Sequence, residues 1–339
     1  MDIICLGELL VDMFPAEVGR RLTEVSAFHP KPGGAPANAA VAAARLGARS
    51  AFIGKVGDEA FGHHLVSVLA ENGVDVRGVR FDPEARTTMA FIAMPDENTS
   101  EFVFYRNPGA DTRLRVEELD RELLQSARVL HFGSLSLSEE PIRSAAWEAL
   151  RIARAAGALI SFDVNYRPTL WKSPSAALEQ IRGMIPHADL VKVNEVELAL
   201  LVGGRADDFR RVDLAQLDAA AGTLVRQGPQ LCVVTLGPKG SYFCTAGGLS
   251  GHVPAFRVTT VDATGCGDAF VAGLLWQLVQ GVGWQEQLTA PRLHQILRYA
   301  NAVGALTAQK QGVIPALPTA AEVEAFLAQA APDLTRKAP

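Results

Sequence analysis

The sequence predicts an α/β fold, a mostly parallel central sheet with helices on both faces and a small antiparallel β lid attached to it. Two observations carry the body: apolar and β-branched runs alternate with Ala/Leu/Arg segments of helical period along most of the 339 residues, and several of the runs end in Gly, Asp or Asn. Such alternation builds parallel strands joined by crossover helices. A third observation supplies the lid. Between residues 79 and 105, short strand-like runs follow one another across Pro, Asp, Glu and Asn turns with no helix between them, as antiparallel strands do.

In chain order, buried strands are expected at residues 3–7, 51–54, 129–133, 158–163, 190–194 and 231–236. Small or polar residues at their carboxyl ends leave room for a ligand, and open α/β sheets bind ligands there. The lid strands are expected at 79–81, 88–94 and 101–105. The Ala-rich stretch 35–48 reads as a helix with Pro36 in its first turn and Gly47 as its stop. Residues 271–280 and 319–330 read as two more helices, the last followed by a tail. One domain is expected over 1–332, with the lid drawn from about 79–112 and part of 8–32, and 333–339 as the tail.

Apolar residues make up 48% of the chain and charged ones 20%, which excludes collagen-like, coiled-coil and largely disordered classes. The 32 Lys and Arg against 37 Asp and Glu leave a net charge of −5, with no basic run longer than pairs such as Arg20-Arg21. No nucleic-acid partner is expected. Any anionic ligand must be held by a few placed cations and backbone N–H groups. The four cysteines lack C-x-x-C or zinc spacing, and the first residues lack the basic start and long apolar run of an export signal. The longest charge-free apolar stretch, 269–285, contains Gln277 and Gln280 and is too short for a comfortable membrane span. A cytoplasmic protein without membrane contact is expected.

The strongest chemical signal is Val261-Asp262-Ala263-Thr264-Gly265-Cys266-Gly267-Asp268-Ala269-Phe270. A Gly-x-Gly turn opening a helix exposes backbone N–H groups that lack intrahelical partners, at the positive end of the helix dipole. Gly265, Cys266 and Gly267 would thus form an anion hole for a phosphoryl group in transfer. Asp268, in the first turn, is expected to stay ionised under that dipole. It is then a weak base that orients a hydroxyl and accepts its proton as phosphorus–oxygen bonding advances. The plainer reading makes Asp268 a helix cap and the glycines turn formers. The length of the string and the second acid at Asp262 argue against it. There is no G-x-x-x-x-G-K-[ST], and Glu8-Leu9-Leu10 follows the first strand in place of G-x-G-x-x-G. There is no G-x-S-x-G either, and Ser134 and Ser136 read as loop residues.

A second glycine turn, Pro32-Gly33-Gly34-Ala35-Pro36-Ala37-Asn38, also runs into a helix. Gly33 and Gly34 allow a ligand close to the backbone, and the Asn38 amide can both donate to and accept from a hydroxyl, which suits a polyol. Asp12 is a candidate partner for sugar hydroxyls. An ordinary loop with a solvated Asn38, and Asp12 as a turn former, are the alternatives.

These two segments resemble the signatures of the ribokinase-like (PfkB) sugar kinases, and the resemblance runs from residue 3 to about 318. Three further strings are similar to those of bacterial and plant fructokinases: Phe104-Tyr105-Arg106-Asn107-Pro108-Gly109-Ala110-Asp111, Phe162-Asp163-Val164-Asn165-Tyr166-Arg167-Pro168, and Gly304-Ala305-Leu306-Thr307 leading to Ile314-Pro315-Ala316-Leu317-Pro318. The resemblance implies a ribokinase-like fold and ATP-dependent transfer to the C6 hydroxyl of fructose, with Asp268 as base. It implies that Asn194 and Glu197 organise Mg²⁺ through its waters, a role suited to a hard ion. Thr235, Gly237, Lys239 and Gly240 would form the nucleotide loop, Asn165 would belong to the nucleotide site, and Asn301 would lie beside the adenine. Asp262, Thr264, Thr307, Lys310, Gly312 and Ala316 would hold a monovalent cation such as K⁺, mainly through backbone carbonyls.

Tyr105 and Arg106 are placed by this reading to close over the substrate, and Arg167 to reach substrate or phosphate; surface ion pairing is the alternative for both arginines. His63-His64 lacks further matched ligands and is not read as a metal site. The chain departs from the family with Ala263 where Thr is common and Cys266 where Ala is common, and the Cys266 thiol at a helix N-terminus is expected to be acidified. A 2-keto-3-deoxygluconate kinase, which holds a carboxylate with a Tyr-Arg element, and a catalytically silent sugar-binding protein are the competing readings. A small-molecule sugar is the expected partner, together with a second copy of the chain docked through the lid.

Overall fold

The apolar run Ile3–Leu6 (β1) is buried on both faces, pairing in parallel with Ser50–Gly57 (β4) on one side and Val129–Gly133 (β8) on the other. The structure, a computed structural model, describes residues 1–17, 19–96, 99–204, 213–281 and 283–330. Outward from β8 follow Leu159–Asp163 (β9), Leu190–Asn194 (β10), Leu231–Thr235 (β11), Ser241–Thr245 (β12) and Ser250–Val253 (β13); Asp75–Asp82 (β5) lies beyond β4. Pairing is parallel from β5 to β11 and antiparallel only at β12 and β13. The expected strands fall on observed ones, with ends differing by up to three residues.

Side-chain alternation splits the apolar residues into two cores. Ile4 and Leu6 face Ile142–Ala155 (α4), Pro174–Met184 (α5), Glu195–Val202 (α6) and Leu214–Val225 (α7), with the short Arg121–Gln125 (α3) at the edge. Ile3 and Cys5 face Ala35–Arg45 (α1), Ala60–Glu71 (α2), Cys266–Val279 (α8), Ala290–Thr307 (α9) and Ala320–Gln329 (α11), with Val313–Ala316 (α10) closing that side. On the α8 side, strand alternation lines up four buried polar residues under the helix: His131 of β8, Ser161 and Asp163 of β9, and Lys192 of β10.

The lid differs from the expected one in two respects. Residues 79–81 belong to β5 and lie on the edge of the large sheet, because Gly78 lets that strand pack against Ile53 and continue parallel to β4. The small sheet consists of Phe28–Gly33 (β3), Leu10–Pro15 (β2), Met89–Asp96 (β6) and Thr99–Tyr105 (β7), in that spatial order. Its two hairpins are antiparallel, but β2 and β6 pair in parallel, so the sheet is mixed. The first hairpin interrupts the path from β1 to α1 and thereby brings Asp12 back over the strand ends.

Candidate active site

Helix α8 begins at the Gly265 turn, where φ is +76° and an added Cβ would lie 2.2 Å from Val313 Cγ1, so glycine is required. The Cys266 amide donates to the Ala263 carbonyl and the Ala269 amide to that of Gly265. The amides of Gly267 and Asp268 are left without a backbone acceptor among the described residues. They form the positive mouth of the helix.

The Asp268 carboxylate meets α1 there. Asn38 is buried on α1, and its Nδ2 donates to Asp268 Oδ2 at 2.8 Å, while its Oδ1 has no partner. Asn38, expected to face a hydroxyl with both ends, thus gives its donor end to the carboxylate. Burial raises Asp268 to about 6, with Asp163 adding to the rise and Asn38, Lys192 and Arg167 opposing it. This corrects the expectation of an ordinary weak base: desolvation outweighs the helix dipole, and the group becomes a better proton acceptor.

The lid brings a second carboxylate. Asp12, on β2, is pushed up to about 7 by burial and by Asp268, with Arg167 opposing. Gly33 makes room for it, since a Cβ there would lie 1.9 Å from Asp12 Oδ2. Gly34, at φ +108°, lets the chain pass the Glu8 carbonyl, 2.4 Å from where a Cβ would stand. The two glycines therefore serve the chain's own close contacts. Arg167 is exposed just past β9, and its charge reaches both acids.

Across the site, Asn194 and Glu197 form a reciprocal cap on α6. Asn194 Oδ1 accepts from the Glu197 amide at 2.8 Å, and Glu197 Oε2 accepts from the Asn194 amide at 2.8 Å. Glu197 Oε1 accepts from the Tyr166 amide at 2.9 Å, tying the loop after β9 to α6. Both carboxylate oxygens already take amides, which fits a role through metal-bound water better than direct ligation. Among the described residues, no three His, Cys, Asp or Glu side chains converge as a metal set.

A buried carboxylate beside an amide cradle is an arrangement that can serve phosphoryl transfer. The model of the pfkB family carbohydrate kinases matches residues 1–320. The chain belongs to the PfkB family of carbohydrate kinases. The kinase is 46% identical over 325 residues to the probable fructokinase-2 of Arabidopsis thaliana, covering 96% of this chain and 95% of the relative. The crystal structure of the Xylella fastidiosa fructokinase with bound ATP superposes with a TM-score of 0.86 at 34% identity, covering 97% and 98% of the two chains. That of the Vibrio cholerae O395 fructokinase with fructose, ADP and calcium superposes with a TM-score of 0.84 at 32% identity, covering 96% and 98%. In fold, the kinase is ribokinase-like.

On the expected nucleotide side, Gly237–Lys239 form one helical turn between β11 and β12, starting after Thr235 at the end of β11. Gly240 adopts φ +103° there, with a Cβ position 2.1 Å from the Val253 carbonyl oxygen. The Lys239 carbonyl accepts from His252 Nε2. Asn301, expected beside the adenine, donates from Nδ2 to the carbonyls of Val253 and Pro254 and so anchors the segment after β13. Asn165, at φ +33°, donates its amide to Asp163 Oδ1.

The expected monovalent-cation residues are partly brought together. Asp262 accepts from the amides of Thr264 and Gly312, and its own amide reaches the Ala308 carbonyl, next to buried Thr307. The Lys310 side chain points to Glu322 at 3.9 Å, which leaves its backbone carbonyl outside that ion pair, and Ala316 ends α10.

Three further expectations change in the kinase. Arg106 is buried and paired rather than open over the site: its Nε and Nη2 meet Asp111 Oδ2 at 2.8 and 2.6 Å, and its Nη1 reaches Ser138. Tyr105 is 66% exposed, on the outer part of the lid, in edge contact with Phe91. The Cys266 thiol is not acidified; burial, with Asp262 and Asp268 nearby, pushes it up to about 12. His63 stacks on Phe81 and pairs with Asp58. Ser134 and Ser136 are buried beyond β8.

Sequence reasoning missed Lys192 and Asp163, a buried ion pair with Nζ and Oδ2 3.1 Å apart. A signal was present: Lys192 breaks the apolar run Leu190-Val191-Lys192-Val193 at a position facing α8.

Proposed function

We propose that this kinase is a fructokinase that transfers the γ-phosphoryl group of ATP to the C6 hydroxyl of D-fructose. The observation that carries the chemistry is the Asp268 carboxylate, aimed by Asn38 and standing on the same helical turn as the two free amides of Gly267 and Asp268. The sugar hydroxyl donates to Asp268. As the bond from its oxygen to phosphorus forms and the bond from phosphorus to the leaving ADP breaks, the proton passes to the carboxylate. The amides hold the phosphoryl oxygens, needing no reorganisation to do so. A base near 6 is mostly ionised at neutral pH and still takes the proton readily.

Glu197, through water, and Asn194 are the residues that would hold Mg²⁺ on the nucleotide; when bound, Mg²⁺ neutralises phosphate charge. Asp262, Thr264, Thr307, Lys310, Gly312 and Ala316 are the residues that would take a monovalent cation, K⁺ among them, mainly through backbone carbonyls. Asp12 and the buried, unpartnered Asn38 Oδ1 read as sugar contacts, with Arg167 over the phosphate. A cytoplasmic setting accords with four free cysteines.

The ketodeoxygluconate reading gives Arg106 a substrate carboxylate to hold, and the ion pair of that guanidinium with Asp111 disfavours it. The silent-binder reading has no use for a raised, aimed carboxylate beside free amides. Coupled assays with ATP and each sugar test the reading. Fructose is expected to have the higher kcat/KM, and a large preference for 2-keto-3-deoxygluconate overturns it.

A further inference from the structure

Lys192 occupies a costly place. It lies inside β10 with only 6% of its surface exposed, and an ammonium buried there alone would be strongly disfavoured. The groups facing it are Asp163 from β9, Glu197 from α6, Asp268 from α8 and His131 from β8. His131, pushed down to about 4 by burial and hydrogen-bonded to Ser161, adds no positive charge at neutral pH. One ammonium thus stands among three carboxylates. Asp163 takes a hydrogen bond from Nζ, but Nζ also reaches past it. The ammonium lies 3.4 Å from the point that a Cβ on Gly267 would occupy, against the turn whose amides are free.

A structural pair alone would not need that location. Buried ion pairs are commonly replaceable by apolar residues of similar volume without loss of stability, and Val233, paired with Lys192 from β11 and buried on the same face, shows that apolar residues pack there. The position at Gly267 is where negative charge gathers during transfer.

We propose that Lys192 is a catalytic residue whose ammonium, aimed by Asp163 at the Gly267 edge of the cradle, receives the oxygens of the phosphoryl group in flight. The proposal rests on the kinase reading above. The sugar oxygen–phosphorus bond forms, the bond to ADP breaks, and the hydroxyl proton goes to Asp268. Lys192 keeps its proton throughout and contributes charge and hydrogen bonds, which are strong between an ammonium and a phosphoryl oxygen.

The test compares Lys192→Met and Lys192→Arg with the wild type as full chains. Calorimetry measures the binding of ADP, of fructose and of the β,γ-imido analogue of ATP, and a coupled assay measures kcat. For Lys192→Met, ADP and fructose affinities are expected within about threefold of wild type. The analogue should bind about tenfold more weakly, and kcat should fall by about 10²–10³, the range for loss of one placed donor to a developing charge. Lys192→Arg, which keeps the charge, is expected to recover at least about tenfold of that kcat. If Lys192→Met does not fold, Lys192→Met/Asp163→Leu removes both charges and is read in the same way. The proposal is overturned if kcat and analogue affinity stay near wild type, or if ADP, fructose and analogue affinities fall together. A wild type that transfers phosphate from ATP to no sugar overturns the kinase reading itself.

Discussion

Asn38 on α1 donates from Nδ2 to Asp268 Oδ2 on α8 at 2.8 Å, joining two glycine-turn segments 230 residues apart in the chain. The hydrogen bond fixes the direction of the base and favours its ionised form against burial. It also turns Asn38 Oδ1 away from the carboxylate, without a protein partner.

Replacing Asp268 by Asn keeps shape and removes the base. Sugar affinity by calorimetry is expected to stay close to wild type, while kcat falls at least about a hundredfold, the usual order for loss of a general base. Retained turnover would remove Asp268 from the proton path.

The pH profile should show the raised base. Asp268 works ionised, so kcat/KM is expected to fall as pH drops through about 6. Asn38→Leu removes a hydrogen bond that favours the carboxylate, so the acid limb should move to higher pH by roughly half a unit to one unit. A limb that stays in place or moves down contradicts the role of Asn38.

Glu8 offers a stability test. Its Oε1 accepts from the Ala35 amide, Oε2 is buried without a partner, and burial raises the group to about 7. A raised acid binds its proton more tightly in the native state, so stability is lost as pH rises from the unfolded value through about 7. Glu8→Gln keeps an acceptor for Ala35 and removes that ionisation. It should stabilise the protein by about 3 kcal/mol at pH 8 and by nearly nothing at pH 4, as read from denaturant midpoints.

Cys266 should be inert. With its thiol pushed up to about 12, the reactive thiolate is scarce at neutral pH. Peroxide is expected to inactivate wild type and Cys266→Ala at equal rates, and protection by the alanine would show a reactive thiol.

The outer lid carries exposed Phe102, Val103 and Tyr105 on the edge strand β7, an apolar strip of the kind that marks an interface. Light scattering is expected to give a dimer at micromolar concentration, and Phe102→Glu a monomer. A monomeric wild type would refute association through the lid.

Much of the site was legible from local pattern. Gly265 and Gly267 ahead of an apolar helical run announce a helix mouth, because that signal is written in a few consecutive residues. Residues 79–81 were misplaced because a short apolar strand carries no mark of which sheet it will join; that depends on Gly78 fitting against Ile53. Arg106 was misread because its partner Asp111 lies beyond the turn that folds it back.

By itself, the sequence determined the α/β alternation, the polar strand ends and the amide cradle, since periodicity, glycine and helix starts act over a few residues. Only the tertiary structure decided that Asp268 titrates near 6, that Asn38 aims it, and that Lys192 stands against the Gly267 turn. Those three depend on α1, α8 and the strands packing together, because desolvation and charge pairing are properties of what surrounds a group in space.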